Sequence, residues 1–137
     1  MREILFRAKA INRDSGYHKT TYKNGDWVYG LLTRPYDERF ENLPAEMTNT
    51  SGISGIEVNY ETIEQFTGLT DKNGVKIFEG DILRDDDTEE NGVVVFEEGE
   101  FCVVFDNVIT HGISAIAYRC YIRGNIHDNP ELIGAKR

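Results

Sequence analysis

The sequence predicts a mainly β protein with one short helix, arranged as an N-terminal β-sheet region over residues 1–60 and a small barrel over residues 61–137, packed as one compact unit. Three observations predict it. Apolar and polar residues alternate over short runs, the period of a strand whose successive side chains face opposite ways. Thirteen glycines punctuate those runs, and sustained 3.6-residue periodicity is scarce. The segments Val93 to Phe96 and Phe101 to Phe105, joined by Glu97-Glu98-Gly99-Glu100, form the clearest hairpin in the chain. Several short strands at this spacing suit a small barrel or a curled sheet.

The first strand is EILFRAKAI, with Ile4, Phe6, Ala8 and Ala10 on one face and Arg7 and Lys9 on the other. A turn-rich stretch ending in Asn24-Gly25 leads into WVYGLL, since that pair suits a turn requiring positive φ. Residues 36–49 give an irregular strand or hairpin, because Pro44 ends any helix there. TSGISG then forms a loop before the short strand GIEVN. The helix falls on YETIEQF, where Ile63 and Phe66 stand at i and i+3 and Gly68 is placed to stop it. Beyond it, VKIFEGDILR, GVVVFEEGEFCVVF and GISAIAYRCYIRGNI read as strands around an acidic loop, DDDTEEN.

Apolar residues at 39% and charged residues at 28% of 137 fit an ordinary folded protein rather than a disordered one. The net charge of −9 repels phosphate polymers and anionic membranes at long range. It is uneven: residues 1–36 hold seven Lys/Arg against three Asp/Glu, a local +4, and the remaining eight against twenty-one leave −13. Neither a signal-like nor a membrane-length apolar run occurs, so a cytoplasmic location and no membrane partner are expected. Cys102 and Cys120 sit in apolar runs and are expected as buried free thiols.

The stretch TGLTDKNGVKIFEGDILRDDD superficially resembles a calcium loop. An EF-hand needs oxygen ligands at positions 1, 3 and 5, glycine at 6 and a bidentate glutamate at 12. Placing Gly74 at 6 puts Leu69 at 1 and Gly80 at 12; placing Asp71 at 1 puts Lys76 at 6 and Ile82 at 12. Neither register supplies the ligands. The same residues make a strand-entry turn, with Asp71 and Asn73 bonding nearby backbone, while Gly80 marks a bulge or a close backbone approach. The acidic run 85–90 reads as a solvated loop. His127 and Asp128 are adjacent and would face apart on a strand; His18 and His111 lie in turn-like sequence without zinc-site spacing. No catalytic motif is present, so the expectation is no catalytic residue, no metal and no cofactor. One weak candidate binding surface remains, in which Lys19, Lys23 and Arg34 interleave with aromatic residues including Trp27. Packing of Trp27 and Tyr29 into a sheet core is the competing reading of those aromatics.

The blocks FRAK, GDWVYG, QFTGLTDKNGVKIFEGDIL and GNIHDNPEL occur in this order, and the set resembles the YopX family of phage and prophage proteins. The resemblance implies a phage- or prophage-encoded protein of the bacterial cytosol, mostly β, whose C-terminal part is an SH3-like barrel. It implies no catalytic residue. Residues 33–57 and the acidic loop from Asp85 to Asn91 depart most from the family pattern. The function expected is that of a non-enzymatic accessory protein acting through protein–protein binding, as a homo-oligomer or with a host or phage protein. The alternatives are a nucleic-acid-binding module using the basic aromatic N-terminal region, and an acidic nucleic-acid mimic.

Overall fold

The computed structural model describes residues 3–12, 22–40, 43–106, 108–110 and 112–134. Strands make up 50% of the described residues and helical turns 13%, so the fold is mainly β. The chain divides into two compact units, Ile4–Gln65 and Phe66–Arg137, the latter joined by Met1–Glu3.

In Ile4–Gln65 the strands are β1 (Phe6–Lys9), β2 (Trp27–Arg34), β3 (Ala45–Asn49), β4 (Ile56–Val58) and the start of β5 (Glu64–Thr70), in the order β4-β3-β2-β1-β5. Every pairing is antiparallel. Alternation sends Ala8, Val28, Ala45, Met47, Ile56 and Val58 to one buried face, where small and β-branched residues let the strands approach. Gly30 is required by that approach: a Cβ there would lie 2.0 Å from the Thr48 carbonyl oxygen on β3. The outer side of β4 is met by the chain following β1, through Asn59 N–H to the Lys9 carbonyl at 2.9 Å and Ile11 N–H to the Glu57 carbonyl at 2.8 Å.

In Phe66–Arg137, β6 (Lys76–Phe78) pairs with the end of β5. A five-stranded antiparallel sheet follows, built from β7 (Asp81–Asp85), β8 (Glu90–Glu97), β9 (Glu100–Phe105), β10 (Val108–Thr110) and β11 (Cys120–Asn125), in the order β10-β9-β8-β7-β11. The expected hairpin is β8–β9, closed by Glu98 and Gly99 with φ of 49° and 83°. Two left-handed residues in a two-residue loop match the twist of the flanking strands. Leu83, Val94, Phe101, Val103 and Phe105 face the core, joined there by Ile113, Ile116 and Ala117.

Four expectations are corrected. YETIEQF is not a helix: a single 3-10 turn, Tyr60–Thr62, is capped by the Asn59 side chain accepting from Glu61 N–H, and Glu64 then enters β5 opposite Arg7. Gly68, with φ 89°, lies inside β5 where the pairing register shifts. VKIFEGDILR is two strands, because Gly80 turns the chain at φ 85° and the Asp81 carboxylate accepts the Phe78 N–H at 2.7 Å. The run before Cys120 is a pair of 3-10 turns, Ile113–Ala115 and Ala117–Arg119, which bury Ile113, Ile116 and Ala117 at helical spacing. Finally, both sheets stay open and no barrel closes among the described residues, against the barrel expected over residues 61–137. The outer side of β11 is already occupied: Ile122 N–H donates to Asp71 Oδ2 at 3.0 Å, and the Cys120 carbonyl accepts from Lys72 N–H at 2.9 Å.

Candidate functional site

The four residues of the sequence-derived surface do not assemble as one. Lys19 lies outside the described residues. Lys23 is exposed in the turn before β2, where its N–H donates to Asp26 Oδ2 at 2.9 Å. Trp27 and Arg34 occupy opposite ends of β2, roughly 23 Å apart at ~3.3 Å per residue. Arg34 is engaged locally, donating to the Pro44 carbonyl at 2.6 Å and pairing with Glu46 at 2.9 Å. Trp27 is half-buried, but outside the core: Val28 takes the core face, and the Trp27 ring lies under the Arg7 guanidinium at 4.7 Å and the Lys9 ammonium at 5.3 Å. Arg7 is buried against Glu64, a residue the sequence pattern had placed in a helix.

The candidate calcium stretch resolves into backbone chemistry. Asp71 Oδ1 accepts from Asn73 N–H at 2.8 Å and Val75 N–H at 2.9 Å, while Oδ2 holds β11, so the carboxylate is committed to three N–H donors. The acidic loop divides. Asp86 pairs with Lys72, and Asp87 is exposed. Asp85, expected in solvent, is instead the last residue of β7, only 2% exposed, with Arg119 Nε 3.1 Å from each carboxylate oxygen. Beside it, burial first and the Asp85 charge second push the Cys120 thiol up to about 11; Cys102 and Cys120 are both buried and free. Among the described residues no group of three or more His, Cys, Asp or Glu converges as a metal centre. The His127 and Asp128 backbone N–H groups both donate to Asn125 Oδ1, which makes them parts of the turn after β11.

The surface that does assemble is an edge. β10 pairs with β9 on one side, and on its other side it hydrogen-bonds no group among the described residues. Val108 and Ile109 are 65% and 44% exposed. Two of the other three terminal strands are covered, β11 by Asp71 and Lys72 and β4 by the Lys9–Ile11 backbone, while β6 ends the other sheet. The sequence signal was present but short: three β-formers, VIT, between the turn residues Asp106-Asn107 and His111-Gly112.

Comparison with known proteins places this architecture. The family described as YopX protein matches residues 32–134, and the chain belongs to that family. The match includes the middle and C-terminal blocks of the resemblance; FRAK and GDWVYG lie upstream of it. Among solved structures, protein EF1440 from Enterococcus faecalis is similar at 27% identity and a TM-score of 0.59, over 97% of this chain and 99% of that one. No curated protein matches. No helix among the described residues is long and apolar enough to cross a membrane.

Proposed function

We propose that this YopX-family chain is a non-enzymatic accessory protein of phage or prophage origin, working in the bacterial cytosol by binding protein, first of all a second copy of itself along β10. The open edge of β10 carries the reading. Backbone groups that find no partner among the described residues, flanked by exposed aliphatic side chains, are a template for strand addition, and proteins ordinarily protect such edges. A second copy is the fitting occupant because β10 carries no charge, so two such edges pair antiparallel about a twofold axis without bringing like charges opposite one another. The three-residue length of β10 supports a weak, concentration-dependent dimer.

Two rival readings draw less support. Nucleic-acid binding through the N-terminal region would need Lys19, Lys23 and Arg34 on one face with a ring, and Arg34 is drawn toward Glu46 at the far end of β2 from Trp27. Acidic mimicry needs carboxylates arrayed at phosphate-like spacing, and four of the candidates are tied to cations, Asp85 and Asp87 to Arg119, Asp86 to Lys72 and Glu89 to Arg84. The test is affinity capture of the tagged chain from lysogenic cells, comparing wild type with Ile109→Lys. The proposal expects the untagged copy, and any further protein partner, to be recovered by the wild type and lost from the variant. Recovery of the same proteins by both would refute the role of β10.

A further inference from the structure

The face of the second sheet opposite its core carries a cavity of about 490 Å³, within the range of ordinary small-molecule sites. Because Val94, Val103 and Phe105 point into the core, alternation turns Val93, Val95 and Val104 outward, and these half-buried side chains line the cavity. Leu132 and Ile133, from the C-terminal 3-10 turn Pro130–Ile133, add a second apolar wall. The rim is charged and lopsided: Glu89, Glu90 and Asp106 against Arg84, whose guanidinium is 3.9 Å from Glu89. One further lining residue, Asn91, is oriented by its Nδ2 donating to the Leu132 carbonyl at 3.0 Å. That bond fixes the amide, and it leaves Oδ1 as a buried acceptor with no hydrogen-bond partner among the described groups.

We propose that this cavity binds a small organic cation with an aliphatic body, of the alkylammonium class. The reading is independent of the β10 edge. The valine, leucine and isoleucine walls suit a hydrocarbon chain, which gains by leaving water. The excess of carboxylates at the rim attracts an ammonium and repels a carboxylate of the same length. Asn91 Oδ1 can only accept, so an N–H donor completes it where an ether or an ester cannot.

The test is an amide NMR titration of the full chain at neutral pH with n-hexylamine, 1-hexanol and hexanoate, and with a blocked pentapeptide containing a single lysine. Hexylamine is expected to shift the Asn91, Val93, Val104 and Leu132 amides saturably, to bind at least fivefold more tightly than hexanol, and to leave hexanoate without detectable binding. Glu90 and Asp106 are exposed, so the double variant Glu90→Gln/Asp106→Asn should stay folded; it is expected to weaken hexylamine at least tenfold and leave hexanol unchanged. Hexanol or hexanoate binding as tightly as the amine would overturn the proposal. So would amine shifts that spread over the acidic surface without saturating, and tighter binding of the lysine peptide would overturn the assignment to a small molecule.

Discussion

Arg7 Nε lies 2.9 Å from Glu64 Oε1 between β1 and β5, and both side chains are only 6% exposed. Two charges withdrawn from water depend on each other, and removing one strands the other. Glu64→Ala is therefore expected to cost about 3–5 kcal/mol of unfolding free energy. The double variant Arg7→Met/Glu64→Leu should recover most of that loss, because it removes both desolvated charges and retains apolar volume. Urea unfolding of the three chains measures it; a single variant as stable as wild type would show the pair to be unimportant.

The Asp71 carboxylate serves three backbone N–H groups, one of them on β11. Asp71→Ala should destabilise the chain by about 3 kcal/mol, the upper end of what a stranded buried donor costs. It should also loosen β11 selectively, seen as faster amide exchange at Ile122. Millimolar calcium should leave the wild-type urea midpoint unmoved, since this carboxylate is already committed. A calcium-dependent rise in that midpoint would restore the metal reading.

Gly30→Ala should be costly for a reason unrelated to φ. The added Cβ would meet the Thr48 carbonyl oxygen at 2.0 Å and Asn49 Cα at 2.8 Å, and both are backbone atoms that move only with β3. Overpacking of this kind costs about 1–3 kcal/mol or more. Circular dichroism melts should place the variant clearly below wild type; an unchanged melt would mean that β2 and β3 are not so closely paired.

The Cys120 thiol gives a pH signature. Burial, aided by the Asp85 charge, raises it from 9.0 to about 11 in the folded chain. The folded state thus holds the proton over a range where the unfolded state has released it. Stability from the neutral thiol is complete below pH 9 and is lost as pH rises toward about 11. In a Cys102→Ala background, thiolate absorbance should titrate near 11 when native and near 9 in urea. A native midpoint near 9 would contradict the buried placement.

How much of this was legible in the sequence depends on where the deciding contacts lie. The β8–β9 hairpin was visible because Glu98-Gly99 and the flanking alternation are local, and the Asp71 turn was visible for the same reason. Glu64 was missed because its strand state depends on Arg7, fifty-seven residues away in sequence. Ile63 and Phe66 at i and i+3 mimicked a helix that tertiary pairing overrode. Asp85 belonged by composition to a solvated acidic run, and its burial rests on Arg119, thirty-four residues on, together with the local Asp87 N–H. The outer side of β11 likewise depends on a distant contact, its Ile122 N–H being held by Asp71, fifty-one residues before it. Of the candidate surface, alternation alone could not decide which face of β2 became core, and Val28 rather than Trp27 took it.

The most direct test of the central claim is light scattering with size exclusion over a wide concentration range. The β10 proposal predicts a mass that climbs from 15.6 kDa toward twice that value as concentration rises, and an Ile109→Lys chain that stays folded and monomeric throughout. A wild-type chain that remains at 15.6 kDa at every concentration, or a variant that dimerises equally well, would contradict it.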